Sequence, residues 1–160
     1  MLLGIISDTH QQHKEAKKAI KQMGQIEQLL HAGDFYEDAM KLAEKLAVPV
    51  KAVVGNCDWY LADKPDELVL EFENVKILLT HGHINRVRFG YDNLLERAKK
   101  MGVRVAIFGH THVPVLEERD GVLLFNPGSV ATPRGGSKPS FGLLKIYQGK
   151  VHGEILSLIE

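Results

Sequence analysis

Five apolar runs in this 160-residue chain stop abruptly at small residues followed by side chains able to bind metals or move protons. Leu2-Leu3-Gly4-Ile5-Ile6 ends at Ser7-Asp8-Thr9-His10, Gln28–Ala32 at Gly33-Asp34, and Val50–Val54 at Gly55-Asn56-Cys57-Asp58. Val75–Leu79 runs into Thr80-His81-Gly82-His83, and Val103–Phe108 into Gly109-His110-Thr111-His112. Imidazole and carboxylate without thiolate suit Mn, Fe, Zn, Ni or Co, and argue against a cysteine-type structural zinc site. Two divalent ions outweigh two aspartates and one hydroxide, so such a pocket is cationic and favours an anion, phosphate being the obvious class. Metals there lower the pKa of a bound water and hold the attacking and leaving oxygens of an in-line displacement. Phosphate ester hydrolysis is the reaction this equipment fits.

The elements that must carry these residues alternate. After the first strand, Lys14–Met23 places Ala16, Ala19, Ile20 and Met23 at helical spacing among charged residues. The run at Gln28–Ala32 is a second strand, Asp38–Leu46 a second amphipathic helix closed off by Pro49, and Val50–Val54 a third strand. Strand–helix–strand–helix–strand is the pattern of a parallel sheet. The second half predicts a hairpin, Leu68–Phe72 and Val75–Leu79 joined at Glu73-Asn74, then a helix over Tyr91–Met101 stopped by Gly102. Strands follow at Val103–Phe108, Pro114–Glu118, Gly121–Phe125, Phe141–Tyr147 and Val151–Leu158. Ligands in α/β architectures bind at the carboxyl ends of strands, so all five polar ends are expected to converge on one rim. Residues 1–160 read as one domain with two sheets and helices outside.

Composition narrows the partners. Lys and Arg total 20 and Asp and Glu total 20, a formal balance that lacks the basic excess needed to coat nucleic acid or anionic lipid. No apolar run reaches the length of a membrane span, and the N-terminus lacks the basic region of a signal peptide. The lone Cys57 cannot close an intramolecular disulfide, which fits a reducing cytoplasm. Nothing in the composition decides for or against a homo-oligomer.

The ordered set Asp8-x-His10, Gly33-Asp34, Gly55-Asn56-x-Asp58, His81 beside Gly82, and Gly109-His110-x-His112 resembles the calcineurin-like metallophosphoesterase superfamily, in particular its small prokaryotic phosphodiesterase branch. The resemblance runs from Asp8 to Arg134. It implies a four-layer αββα sandwich of two mixed sheets flanked by helices, the metallo-dependent phosphatase-like fold. It implies Asp8, His10 and His112 on one metal, Asn56, His81 and His110 on a second, and Asp34 between them. Two divalent ions are expected, Mn²⁺ first and Ni²⁺, Fe²⁺, Zn²⁺ or Co²⁺ as alternatives, acting on a small phosphoester through a metal-bridging hydroxide. Asp34, Asn56 and Asp58 are the expected catalytic residues, and Asn56, Cys57, His83 and Arg134 the expected substrate contacts. Asn126-Pro127-Gly128-Ser129 and Pro133-Arg134 match a family segment near the active-site face. One position departs. Many superfamily phosphatases carry His directly after the Asn, where it helps protonate the leaving group; here Cys57 stands there. A thiol is the poorer acid near neutrality, so aryl phosphodiesters are expected to be better substrates than alkyl monoesters.

Blander roles stand beside these. Asp8 alone would more often cap the following helix, His83 would be as common in an exposed loop, and His13, His31 and His152 read as structural or solvent-facing. Trp59 and Tyr60 could wall a substrate cleft beside Asp58, but packing is the first reading for a large aromatic pair. Rival functions are a phosphomonoesterase, a non-catalytic scaffold resembling the retromer subunit of this fold, and a nucleic-acid enzyme. The scaffold departs from the family ligand set, whereas all seven positions here carry ligand-competent side chains. The nucleic-acid enzyme wants added domains or a basic groove.

Overall fold

The computed structural model describes residues 1–160. Strands β1 (Leu2–Ile6), β2 (Gln28–His31), β3 (Val50–Ala52), β9 (Ser140–Tyr147) and β10 (Lys150–Ser157) form one five-stranded sheet in the order β10-β9-β1-β2-β3. Strands β4 (Glu67–Phe72), β5 (Val75–Thr80), β6 (Val105–Ile107), β7 (Val115–Arg119) and β8 (Val122–Asn126) form the other, in the order β4-β5-β6-β8-β7. Helices α1 (His13–Met23) and α2 (Tyr36–Ala43) cover the first sheet, and α3 (Asp92–Met101) covers the second. The expected four-layer αββα sandwich is the architecture found.

Alternation along the strands builds the layers. Leu3 and Ile5 of β1, Ile77 and Leu79 of β5, and Val105 and Ile107 of β6 meet between the sheets in one cluster. Their sequence neighbours point outward: Leu29 lies under Ala16, Ala19 and Met23 of α1, while Leu78 and Ala106 lie under Leu94 and Ala98 of α3. Buried on both faces, these strands read as nearly continuous apolar runs.

Two differences from the sequence reading have local causes. Helix α2 begins two residues earlier than expected, because Phe35 takes a left-handed conformation (φ 63°) that turns the chain into the helix directly after Asp34. Strand β3 ends at Ala52, two residues short of the expected Val54, a 3₁₀ turn follows at Asn56–Asp58, and Val87–Phe89 forms another before α3. Trp59 and Tyr60, expected to pack, are both exposed.

Candidate metal centre

Strands β1, β2 and β3 are parallel neighbours, and so are β5 and β6, so their carboxyl ends share an edge within each sheet. The first sheet delivers Asp8, His10, Asp34 and Asn56 to that edge, and the second delivers His81, His110 and His112. The turns are tight: Asp8, His10, Asp34, His110 and His112 all have φ between 45° and 69°. For non-glycine residues such conformations cost about 1–3 kcal/mol each and persist where surrounding contacts enforce them. Those contacts are present. The Asp8 N–H donates to the Gly33 carbonyl at 3.1 Å, and the Ser129 hydroxyl donates to the Asp8 carbonyl at 2.8 Å. Asp8 Oδ2 accepts from the Ser7 hydroxyl (2.6 Å) and the His110 N–H (3.1 Å). Gly55 and Gly109 are obligatory for close approach, since a Cβ on either would collide with the Asp34 carboxylate or the Ser7 hydroxyl.

Hydrogen bonds on the far sides of two rings fix what faces the centre. His81 Nδ1 lies 2.7 Å from the Ala32 carbonyl, so it carries a proton and Nε2 is turned toward the centre. That Nε2 looks onto Asn56 Oδ1 at 3.1 Å, Asp34 Oδ1 at 3.4 Å and Asp8 Oδ1 at 3.8 Å. His112 Nδ1 likewise donates to the Thr132 carbonyl at 2.7 Å, which leaves its Nε2 facing Asp8 Oδ1 at 3.1 Å and His10 Nε2 at 3.3 Å. Imidazole nitrogens and carboxylate oxygens thus converge on one space. Asp8 Oδ1 is buried without a hydrogen-bond partner, an arrangement that is costly unless a cation completes it. Asp8, His10, Asp34 and His112 each offer a donor atom, all within 4.8 Å of one another. His110 packs its ring edge-on to His81 with centroids 5.1 Å apart. The Asp8, His10, Asp34 and His112 donors fit a divalent metal.

The fields agree with this geometry. Burial alone would raise the Asp34 carboxyl, but the His81 imidazole and the Cys57 N–H hold it well below the usual carboxylate range. Asp8 is lowered in the same way, with His112, His81 and Ser7 outweighing burial. Burial, then the positive ends of His81 and Arg88, push His110 down to about 4, so its imidazole is a free base near neutrality. Burial also lowers His10 and His83.

Around the centre, Asn56 is exposed at the rim and Arg134 is exposed nearby, its backbone N–H on the His112 carbonyl and its charge felt by His10. The His83 ring sits 5.4 Å from His81, half-buried. Burial and the neighbouring Asp34 push the Cys57 thiol up to about 11. Asp58 is buried with both oxygens engaged, by the Tyr36 N–H at 2.9 Å and the Gly55 N–H at 2.8 Å. It ties the turn after β3 to the start of α2. Asp8 does not cap α1, which starts without a side-chain cap.

A layer behind these side chains escaped the sequence reading. Gly33 N–H donates to His31 Nδ1 (3.2 Å), His31 Nε2 donates to the Thr9 hydroxyl (3.1 Å), and Thr9 donates to Asp38 (2.6 Å). Asp38 also accepts the Gln11 N–H at 2.8 Å, which braces the Thr9–Gln11 turn that carries His10. Asn126 donates to the Gly109 carbonyl and the Thr111 hydroxyl, both at 3.0 Å, and holds the His110–His112 turn. Only the position of Asn126 and Ser129 in their motif hinted at this.

A two-sheet αββα sandwich with paired carboxylates and imidazoles on one rim has the architecture of metal-dependent phosphoesterases. Residues 1–149 match the calcineurin-like phosphoesterase superfamily domain, and the chain belongs to that family. The probable metallophosphoesterase YsnB of Bacillus subtilis is 34% identical over 143 residues, 89% of this chain and 82% of the relative. The phosphodiesterase MJ0936 of Methanocaldococcus jannaschii is 34% identical over 161 residues, 90% of this chain and 92% of the relative. A predicted phosphoesterase from Streptococcus pneumoniae superposes with a TM-score of 0.83 at 27% identity, covering 98% of this chain and 88% of that one. A Vps29 mutant (D62A) from Entamoeba histolytica superposes at 0.78 with 26% identity and 98% coverage of both. No helix is long and apolar enough to cross a membrane.

Proposed function

We propose that the chain is a phosphodiesterase that works with two divalent ions, Mn²⁺ foremost, on a small phosphoester. Asp8, His10 and His112 would hold one ion, Asn56, His81 and His110 the other, and Asp34 both. Bound there, the ions supply Lewis acidity toward a phosphoryl oxygen and toward the attacking water. The single observation that carries the reading is the convergence of donor atoms: Asp8, His10, Asp34 and His112 each present one within 4.8 Å of the others, and the buried Asp8 Oδ1 has no hydrogen-bond partner.

The chain's own residues do the rest. Asn56, whose Oδ1 faces His81, can turn its amide N–H toward a phosphoryl oxygen. Arg134 offers two parallel donors to an oxygen pair. Asp58 acts at one remove, by fixing the turn that presents Asn56 and Cys57. Cys57 holds its proton too tightly to give it readily to a departing alkoxide, so leaving groups that depart without protonation are favoured. The sole cysteine also fits work in a reducing cytoplasm.

Similarity to Vps29 means that the fold does not by itself decide for catalysis. The test is Asp34→Asn in Mn²⁺-loaded protein, with turnover of bis(4-nitrophenyl) phosphate and metal stoichiometry measured together. The expected result is loss of most activity and of metal. Unchanged turnover and stoichiometry would reject the assignment, and inactivity of the wild type on every phosphoester would favour the scaffold.

A further inference from the structure

A cleft of about 350 Å³ opens directly beside the metal centre, between the turn after β3 and the loop after β5. Asn56 and His83, both at the centre, form one end of its lining, and Trp59, Leu61 and Ile84 supply apolar walls. Trp59 is 81% exposed and Ile84 61% exposed, large apolar side chains that no part of the fold covers. The Trp59 ring makes an edge-on contact with Tyr60, centroids 5.9 Å apart at 85°, and otherwise stands open to solvent. Burying such surface against a ligand is favourable, and indole faces stack well on planar rings.

The polar lining narrows what can enter. Lys64, Asp58 and Asp66 also border the cleft, and Lys64 is already paired with Asp63 at 3.5 Å. Carboxylates outnumber the cation, so a second phosphate is disfavoured there. Asp66 and Lys64 nevertheless offer an acceptor and a donor to a neutral group with polar edges. The volume lies at the lower end of the ~300–1,000 Å³ range of small-molecule sites, large enough for a ring with a sugar-sized attachment.

We infer that this cleft seats one ester arm of the phosphodiester, and that the arm is uncharged, planar and aromatic, of nucleoside size. The inference rests on the phosphodiesterase reading above and names the substrate class for the same site. The phosphate lies at Asn56, one arm stacks on Trp59 against Ile84, and the heterocycle or sugar edge meets Lys64 and Asp66. A polynucleotide is a poorer fit, because its next phosphate would meet Asp58, Asp66 and Asp63.

Two measurements separate this inference from the reading beneath it. Trp59 is the only tryptophan, so its fluorescence reports occupancy of the cleft without turnover or metal. Thymidine added to chelator-treated protein is expected to quench it saturably, and Ile84→Ser to weaken that binding. In Mn²⁺-loaded protein, kcat/KM is compared by ³¹P NMR for thymidine 5′-(4-nitrophenyl) phosphate, bis(4-nitrophenyl) phosphate and bis(2,2,2-trifluoroethyl) phosphate. Trp59→Ala is expected to lower the aromatic-to-alkyl ratio about tenfold, equivalent to about 1.4 kcal/mol, chiefly through KM. Trp59 is exposed and outside the core, which separates that change from a loss of folding, and Ile84→Ser checks it from the opposite wall. Turnover with no quenching and an unaltered ratio in both variants would overturn the cleft assignment. Quenching with no hydrolysis of any diester would support the arm's chemistry and reject the phosphodiesterase reading instead.

Discussion

Lowering the pH from 6.5 to 4 should destabilise the metal-free protein through one buried imidazole, His31. Its surroundings dictate a neutral ring: Nδ1 accepts the Gly33 N–H, and Nε2 donates to Thr9, which donates onward to Asp38. A second proton on Nδ1 would set two N–H groups against each other beneath the Gly33-Asp34 turn. Burial accordingly lowers the folded-state pKa from 6.5 to about 4, against the opposing pull of Asp8 and Asp38. Between those values the unfolded chain binds more protons than the folded one, so stability rises with pH across the window and is lost as pH falls. A 2.5-unit difference corresponds to about 3 kcal/mol, with a slope approaching about 1.4 kcal/mol per pH unit. That is a sizeable share of the ~5–15 kcal/mol of a typical domain. The assay is urea unfolding of chelator-treated wild type and His31→Asn, followed by circular dichroism from pH 4 to 7. The variant keeps an acceptor for Gly33 but cannot titrate, so it should start less stable and lose less on acidification. Since the other titrating groups are common to both proteins, the difference between the two curves isolates His31. Parallel curves would refute the reasoning.

Replacing Cys57 with His should raise the ratio of monoester to diester turnover by about tenfold or more, since a positioned imidazole acid is typically worth 10²–10⁴; an unchanged ratio in steady-state assays rejects the role given to this position. Gly55→Ala would put a methyl group on the Asp34 carboxylate and 2.5 Å from its backbone nitrogen, so calorimetry should show metal affinity falling about 10–100-fold with the circular dichroism spectrum retained. Asp38→Ala removes the one carboxylate oxygen that accepts from both Thr9 and Gln11; a loss of about 1–3 kcal/mol in urea and weaker metal binding are expected, and wild-type values for both would remove Asp38 from the site's support. Chelation should abolish activity reversibly, because the three apolar clusters contain none of the proposed ligands; irreversible unfolding on metal removal would contradict that.

The convergence of the seven proposed ligand positions on one rim was legible because each apolar run stops at its turn, and a run followed by small residues and Asp or His marks a strand's carboxyl end without any knowledge of pairing. Strand order was not legible in the same way. Strand β8 inserts between β6 and β7, a choice made by the packing of two whole sheets rather than by any local signal. The backing of these side chains was equally hidden. The Ala32 and Thr132 carbonyls that orient the His81 and His112 rings are main-chain groups and carry no residue-type signature. Thr9 and Asp38 lie 29 residues apart, each unremarkable until the fold joins them. Trp59 was misread for a related reason: a large aromatic residue is usually covered, and only the structure shows that nothing covers it.

The division of the rim between two sheets has a mechanical consequence. Sheet against sheet, the halves of this molecule are joined across their core by apolar contacts, which lack direction, and at the rim by a few bonds such as His81 to the Ala32 carbonyl and the His110 N–H to Asp8. A cation gripped by Asp8 on one side and His112 on the other would act as a rivet through that interface, fixing the two sheets in registry at one edge. It would also close a loop of about 100 residues, the kind of long-range cross-link that removes most freedom from an unfolded chain. Pulled apart from β3 and β7, the loaded protein should resist shear at the rim first, and the same ions that serve the chemistry would set the force at which the sandwich yields.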